Sequence, residues 1–244
     1  MIPIRNAVPS RYPAVITWTL IVINCSVFLY ENSLSPDELE LFVREFALIP
    51  ARYTDVASLD SDLAGGGFFA FLSMMFLHGG WLHLILNMWM LWLFGGTIED
   101  RLGHMRYLVF YLVCGLGASI THVIFNPTST IPALGASGAI AGILGCYLRL
   151  FPLARLVVIV PILIIPLFFE VHAFVFIGIW FLLQVVQSAL EHIAPSAENV
   201  AWSAHVGGFL AGFALGPLLV RSEQRYRSYY ADEGELGFDT SGRI

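Results

Sequence analysis

Apolar residues along this chain gather into long runs separated by polar breaks, and the lengths of those runs predict its elements. The first run, Ala14 to Tyr30, follows Arg5 and Arg11 and suits a spanning helix of roughly 20 residues with slightly frayed ends. No A-x-A cleavage site follows it and further apolar runs do, so it reads as a retained helix rather than a signal peptide. Further spans are expected at Trp81 to Gly96, Tyr107 to Phe125, Ser137 to Leu150, about Val171 to Leu190, and Trp202 to Val220. One more apolar piece, Leu156 to Phe169, is punctuated by Pro161 and Pro166 and reads as an interfacial or re-entrant connector. Glu31 to Gly67 is acidic, broken by Pro36, Pro50 and Gly65-Gly66-Gly67. It carries an amphipathic stretch (Leu39, Phe42, Val43, Phe46, Ala47) at helical spacing, and a loop this long has structure or function of its own.

Composition turns these runs into a class. Hydrophobic residues make up 57% of the 244 residues, charged residues only 12%, and the mean hydropathy is +0.76, too apolar for a soluble domain. The expected fold class is therefore an all-α membrane protein. Its net charge of -6 and the absence of lysine leave no basic patch for a nucleic-acid backbone. Cys25, Cys114 and Cys146 lie in apolar runs, with no disulfide frame or metal spacing.

Arginine placement orients the spans. Arg5 and Arg11, Arg101 and Arg106, Arg149 and Arg155, and Arg221, Arg225 and Arg227 all fall on one side if there are six spans. The positive-inside rule then puts both termini in the cytoplasm. Residues 1–13 form a cytoplasmic segment, 14–220 the six-helix domain, and 221–244 a polar tail without apolar period, expected to be disordered.

The helix from Ser137 to Arg149 covers only roughly 20 Å of a hydrocarbon core about 30 Å thick. With Arg149 at the cytoplasmic end, Ser137 lies roughly 10 Å below the outer surface. The Pro132-to-Gly135 loop before it must line a protein-enclosed cavity. The same arithmetic buries His83 and Asn87 in the second span, and His205 one turn below Trp202 in the last. Each has an ordinary structural role when taken singly: Ser137 among small residues is a packing surface, and the histidines and Asn87 bond between helices. Their common depth and complementary chemistry change that. A neutral histidine takes the proton that makes a serine hydroxyl nucleophilic. A helix N-terminus offers the Ser137 N–H to an oxyanion. His83 and Asn87, at i and i+4, offer side-chain donors from one helix face. His78 orders the long loop, whereas His122, His172 and His192 are expected as interfacial or loop residues.

Three motifs carry a family resemblance: His78-Gly79-Gly80-Trp81-Leu82-His83 through Asn87, Gly135-Ala136-Ser137-Gly138, and Ala204-His205-Val206-Gly207-Gly208 with Gly212. In this order, on the second, fourth and sixth spans, they resemble the rhomboid intramembrane serine proteases of bacterial type. The resemblance implies a six-helix transmembrane bundle with a short buried fourth helix and a long membrane-embedded first loop. It implies Ser137 as nucleophile, His205 as general base, and an oxyanion hole of His83, Asn87 and the Ser137 N–H. His78 would support the first loop, and Gly138, Gly142, Gly208 and Gly212 would close the fourth helix on the sixth. Glu99 and Arg101 resemble an acid–base pair at the inner end of the second helix, and spans five and six with the Ala194 to Ala201 connector would form a substrate gate. Some members carry an aromatic residue one turn after the serine where this chain has Ala141, and the Trp-Arg pair common in the first loop is not evident.

The implied activity is serine-type endopeptidase cleavage of other transmembrane proteins, which enter laterally from the lipid bilayer, with the site opening to the extracytoplasmic side. No cofactor, metal or nucleic-acid partner is expected. A catalytically silent relative that binds or chaperones membrane clients is the alternative. Paired broken helices of a transporter, an H-E-x-x-H metalloprotease helix and the two intramembrane acids of an aspartyl enzyme are not found.

Overall fold

The computed structural model of the protein describes residues 2–54, 67–162, 165–193 and 201–220. Among these the chain forms α1 (Val15–Glu31), α2 (Pro36–Phe46), the short turns α3 (Ala51–Thr54) and α4 (Ala70–Ser73), then α5 (Trp81–Leu102), α6 (His104–Phe125), α7 (Ser137–Leu150), α8 (Ala173–Ile193) and α9 (Trp202–Leu219). The apolar runs read as spans overlap α1 and α5 to α9. Four of these helices, α5, α6, α8 and α9, are long and apolar enough to cross a membrane, and the protein is a helical membrane bundle. The tail after residue 220 and residues 194–200 of the expected gate connector lie outside the described residues.

Helix starts and stops follow from local chemistry. On α1, Thr17, Asn24 and Glu31 recur at seven-residue intervals and are buried, so an otherwise apolar helix turns one polar stripe toward its neighbours. Glu99 of α5 accepts from the N–H groups of Ile16 and Thr17, both 2.8 Å, and from Thr17 Oγ1 at 2.7 Å. A carboxylate at the first turn satisfies orphan donors and complements the helix dipole. The amphipathic stretch of the long loop is α2. Pro36 follows its N-cap Ser35, which forms a reciprocal capping box with Glu38. Between α5 and α6, Gly103 at φ 78° reverses the chain without the penalty a side chain would bring.

Helix α7 occupies the centre. Every residue from Gly138 to Tyr147 is buried, so this short helix is apolar all round and enclosed by its neighbours.

In the segment expected as an interfacial or re-entrant connector, the described residues form two paired strands. Strands β2 (Arg155–Ile162) and β3 (Ile165–His172) pair antiparallel from Arg155↔His172 to Ile162↔Ile165, and β1 (Ile2–Asn6) pairs with the other edge of β2. The run Leu156-Val157-Val158-Ile159-Val160 is rich in β-branched residues that suit a pleated surface. Alternate residues Leu156 and Val158 are fully buried, which gives the sheet one face on the bundle. Residues 2–13 thus pack on the domain instead of standing apart from it. Asn6 donates to Thr97 Oγ1 at 2.7 Å and accepts from Tyr147 Oη at 2.6 Å, and Trp89 Nε1 donates to the Pro3 carbonyl at 2.7 Å.

Candidate active site

Ser137 is the first residue of α7, and no side chain among the described residues caps that helix. Its first-turn N–H groups have no acceptor within the helix itself. The approach to Ser137 is held by the long first loop. Leu48 and Ala133 exchange backbone hydrogen bonds of 3.0 and 2.8 Å, Ala51 N–H donates to the Ser129 carbonyl at 3.0 Å, and Gly135 N–H donates to the Met74 carbonyl at 2.8 Å. Gly135 has φ 123°, and a Cβ there would lie 2.8 Å from both Cε1 and Nε2 of His83. Only glycine meets both conditions.

His205, in the first turn of α9, lies with Nε2 2.7 Å from Ser137 Oγ. Its other ring nitrogen, Nδ1, lies 2.7 Å from Gln184 Oε1 of α8. The rings of Trp180 and Trp202 lie 6.1 and 6.0 Å from the imidazole. Ala141 leaves the aromatic position after the serine empty, and these tryptophans, together with the Gln184 amide, contact His205 instead. His205 is buried and Ser137 half-buried.

His83 and Asn87 come from α5 and stand over Gly135. The Asn87 amide nitrogen is 3.7 Å from the position of a Cβ at Gly135 and, although buried, has no hydrogen-bond partner among the described residues. His78 is buried, its ring edge-on to His83 at 5.2 Å and to Phe28 at 6.4 Å, and its N–H donates to the Glu31 carboxylate at 3.2 Å. It thereby ties the start of α5 to the end of α1.

The glycines expected to close α7 on α9 do meet. A Cβ at Gly208 would lie 2.0 Å from the Gly138 carbonyl oxygen, and one at Gly212 would lie 1.9 Å from that of Gly142. At Gly138 the obstacle is Ala118 Cβ at 2.5 Å, and at Gly142 it is Cys114 Cβ at 2.4 Å. Glu99 and Arg101 take separate partners. Glu99 binds the start of α1 and lies 2.6 Å from His104 Nδ1, whereas the Arg101 guanidinium sits 4.7 Å over the Phe151 ring.

His122, expected at an interface or in a loop, is buried at the end of α6. There it meets Ser203 Oγ at 3.1 Å, and Asn126 donates to the same oxygen at 2.9 Å. His172 is exposed at the end of β3. Gln184 joins the Ser137–His205 cluster from α8 without belonging to any of the three motifs. Its signal was present, an amide within the apolar run Ala173 to Val186, which is costly in lipid unless bonded.

The family model for the rhomboid domain matches residues 65–222, more than half of the chain. RHOMBOID-like protein 6, mitochondrial, of Arabidopsis thaliana is 24% identical over 251 residues, 93% of this chain and 76% of its own. RHOMBOID-like protein 2 of the same plant is 36% identical over 62% of this chain and 43% of its own. The Rhomboid protease GluP of Bacillus subtilis is 39% identical over 38% of this chain and 18% of its own length. The last two relatives are thus matched over less than half their lengths.

Proposed function

This chain belongs to the rhomboid family, and we propose that it is an intramembrane serine endopeptidase in which Ser137 is the nucleophile and His205 the general base. The observation that carries the proposal is the 2.7 Å contact between Ser137 Oγ and His205 Nε2, within the range a proton transfer needs. His205 removes the hydroxyl proton as Oγ bonds to the carbonyl carbon of the scissile peptide. The tetrahedral oxyanion is met by the Ser137 N–H, the Asn87 amide and the His83 imidazole, all grouped around Gly135. His205 then gives its proton to the departing amine, and water activated by the same imidazole releases the acyl group. Groups fixed in place before charge develops cost no reorganisation at the transition state.

The substrates are transmembrane proteins. They approach laterally from the bilayer, because helical peptide bonds must unwind before attack and exposed backbone is tolerated only inside a protein cavity. The arginine distribution supports six spans, cytoplasmic termini and an extracytoplasmic site.

Labelling with a fluorophosphonate in detergent tests the dyad. The wild type is expected to label, and Ser137→Ala and His205→Ala to lose labelling. Persistent labelling of Ser137→Ala would falsify the nucleophile assignment, and a wild type that never labels would favour a silent, client-binding relative.

A further inference from the structure

We propose that Gln184 is a positioning residue that fixes the tautomer of His205, an inference that rests on the Ser137–His205 reading above. Gln184 is only 6% exposed, whereas its neighbours Leu182, Leu183, Val185 and Val186 are 39–60% exposed. The amide is thus the inward-facing member of its turn. A buried amide among apolar residues is destabilising unless both its ends are bonded, and both are. Gln184 Nε2 donates to the Trp180 carbonyl at 3.3 Å, and Oε1 faces His205 Nδ1 at 2.7 Å. The carbonyl of Trp180 only accepts, which determines which end of the amide turns to the imidazole. That end also only accepts, so Nδ1 carries the hydrogen. In a neutral imidazole the lone pair then resides on Nε2, the nitrogen that faces the serine. The opposite tautomer would point an N–H at Ser137 Oγ and could not take its proton. The geometry therefore gives a base–orienter pair in which the orienter is a neutral amide.

Among the described residues the hydrogen-bond partner of His205 Nδ1 is the neutral Gln184 amide. Gln184 holds the ring without adding charge.

The test uses the full-length protein in detergent with a transmembrane peptide substrate. Gln184→Met keeps the volume and removes the acceptor. Its kcat is expected to fall about ten- to a hundredfold while KM stays within about twofold, the split expected of a lost orienter. Gln184→Glu restores an acceptor and adds a negative charge. It should recover much of kcat and move the acid limb of the pH–kcat profile upward by about one unit or more, a readout that a purely structural role would not move. Nitrogen-15 NMR of labelled histidine reads the tautomer independently of activity, with His205 protonated at Nδ1 in the wild type and mixed in Gln184→Met. Wild-type kcat in Gln184→Met, an unmoved acid limb in Gln184→Glu, or protonation at Nε2 in the wild type each overturns the proposal. A wild type with the Nδ1 tautomer that cleaves nothing overturns the protease reading instead.

Discussion

The two flanks of α9 are built in opposite ways. On the α7 side the helices approach until backbone meets backbone, with Gly208 and Gly212 against the carbonyls of Gly138 and Gly142, and Gly145 against that of Phe209. On the α8 side the contact is made by side chains, Phe181 stacked on Phe209 at 4.1 Å and Trp180 leaning over Phe209 at 6.4 Å, with the Gln184–His205 bond beside them. Helix α8 is also the least buried of the four long apolar helices. Where backbones touch, no rotamer can relax to accommodate a shift, so small residues lock helices at one separation. Where rings touch, an interface can slide. Ser137 and His205 face each other across the rigid flank, and Gln184 reaches His205 Nδ1 from the other. On the proposed roles, a displacement of α8 that lengthens the Gln184 bond is expected to free Nδ1 and weaken His205 as a base.

The strongest way to break this contrast is Gly212→Ala. Its Cβ would lie 1.9 Å from a backbone oxygen, and the expected loss is about 3 kcal/mol or more, measured by unfolding in mixed detergent, with the dyad geometry lost as well. Glu99→Gln comes next. It removes the charge on a carboxylate that accepts three hydrogen bonds from α1, for a loss of about 2 kcal/mol. Glu99 is remote from both flanks, so kcat of the surviving folded protein should not change, and a fall in kcat would show that the rigid flank depends on the base of the bundle. Phe181→Leu removes one stacked ring pair, worth about 1 kcal/mol, and should alter kcat more than melting temperature if α8 tunes His205. The smallest effect belongs to Gly178→Ala on α8, where a Cβ would meet nothing within 4 Å. Stability should stay level or rise by up to about 1 kcal/mol, the difference in helix propensity. A loss there comparable to Gly212→Ala would mean that α8 packs as tightly as α7.

Much of the fold was legible because a bilayer makes length and apolarity nearly sufficient to define a helix. The run from Ser137 to Leu150 coincides with α7, and Trp202 to Val220 differs from α9 by one residue. The pair of strands β2 and β3 was less legible. The run Leu156 to Phe169 shows no alternation of apolar and polar residues, and only its β-branched content hinted at strands. Strand β1 was hidden for a different reason. Five residues carry little periodicity, and what holds them are partners far along the chain, Thr97, Tyr147 and Leu156.

Within the site, Ser137, His205, His83 and Asn87 were recognisable by residue type and by the motifs that carry them, and charge placement with helix rise gave them one expected depth. Depth says nothing about rotation around a helix axis or about which helices are neighbours. Gln184 therefore gave no sign of facing His205, and His122 none of facing Ser203.

By itself, then, the sequence determined the class, the helices and their order, because each depends on residues close together in the chain. Tertiary structure alone decided that Ser137 and His205 stand 2.7 Å apart, that Gly208 and Gly212 lie against the carbonyls of Gly138 and Gly142, and that an amide from a third helix lies 2.7 Å from His205 Nδ1. Those are pairings between residues 21 to 70 positions apart, and they exist only once helix packing has chosen the rotation of each helix about its own axis.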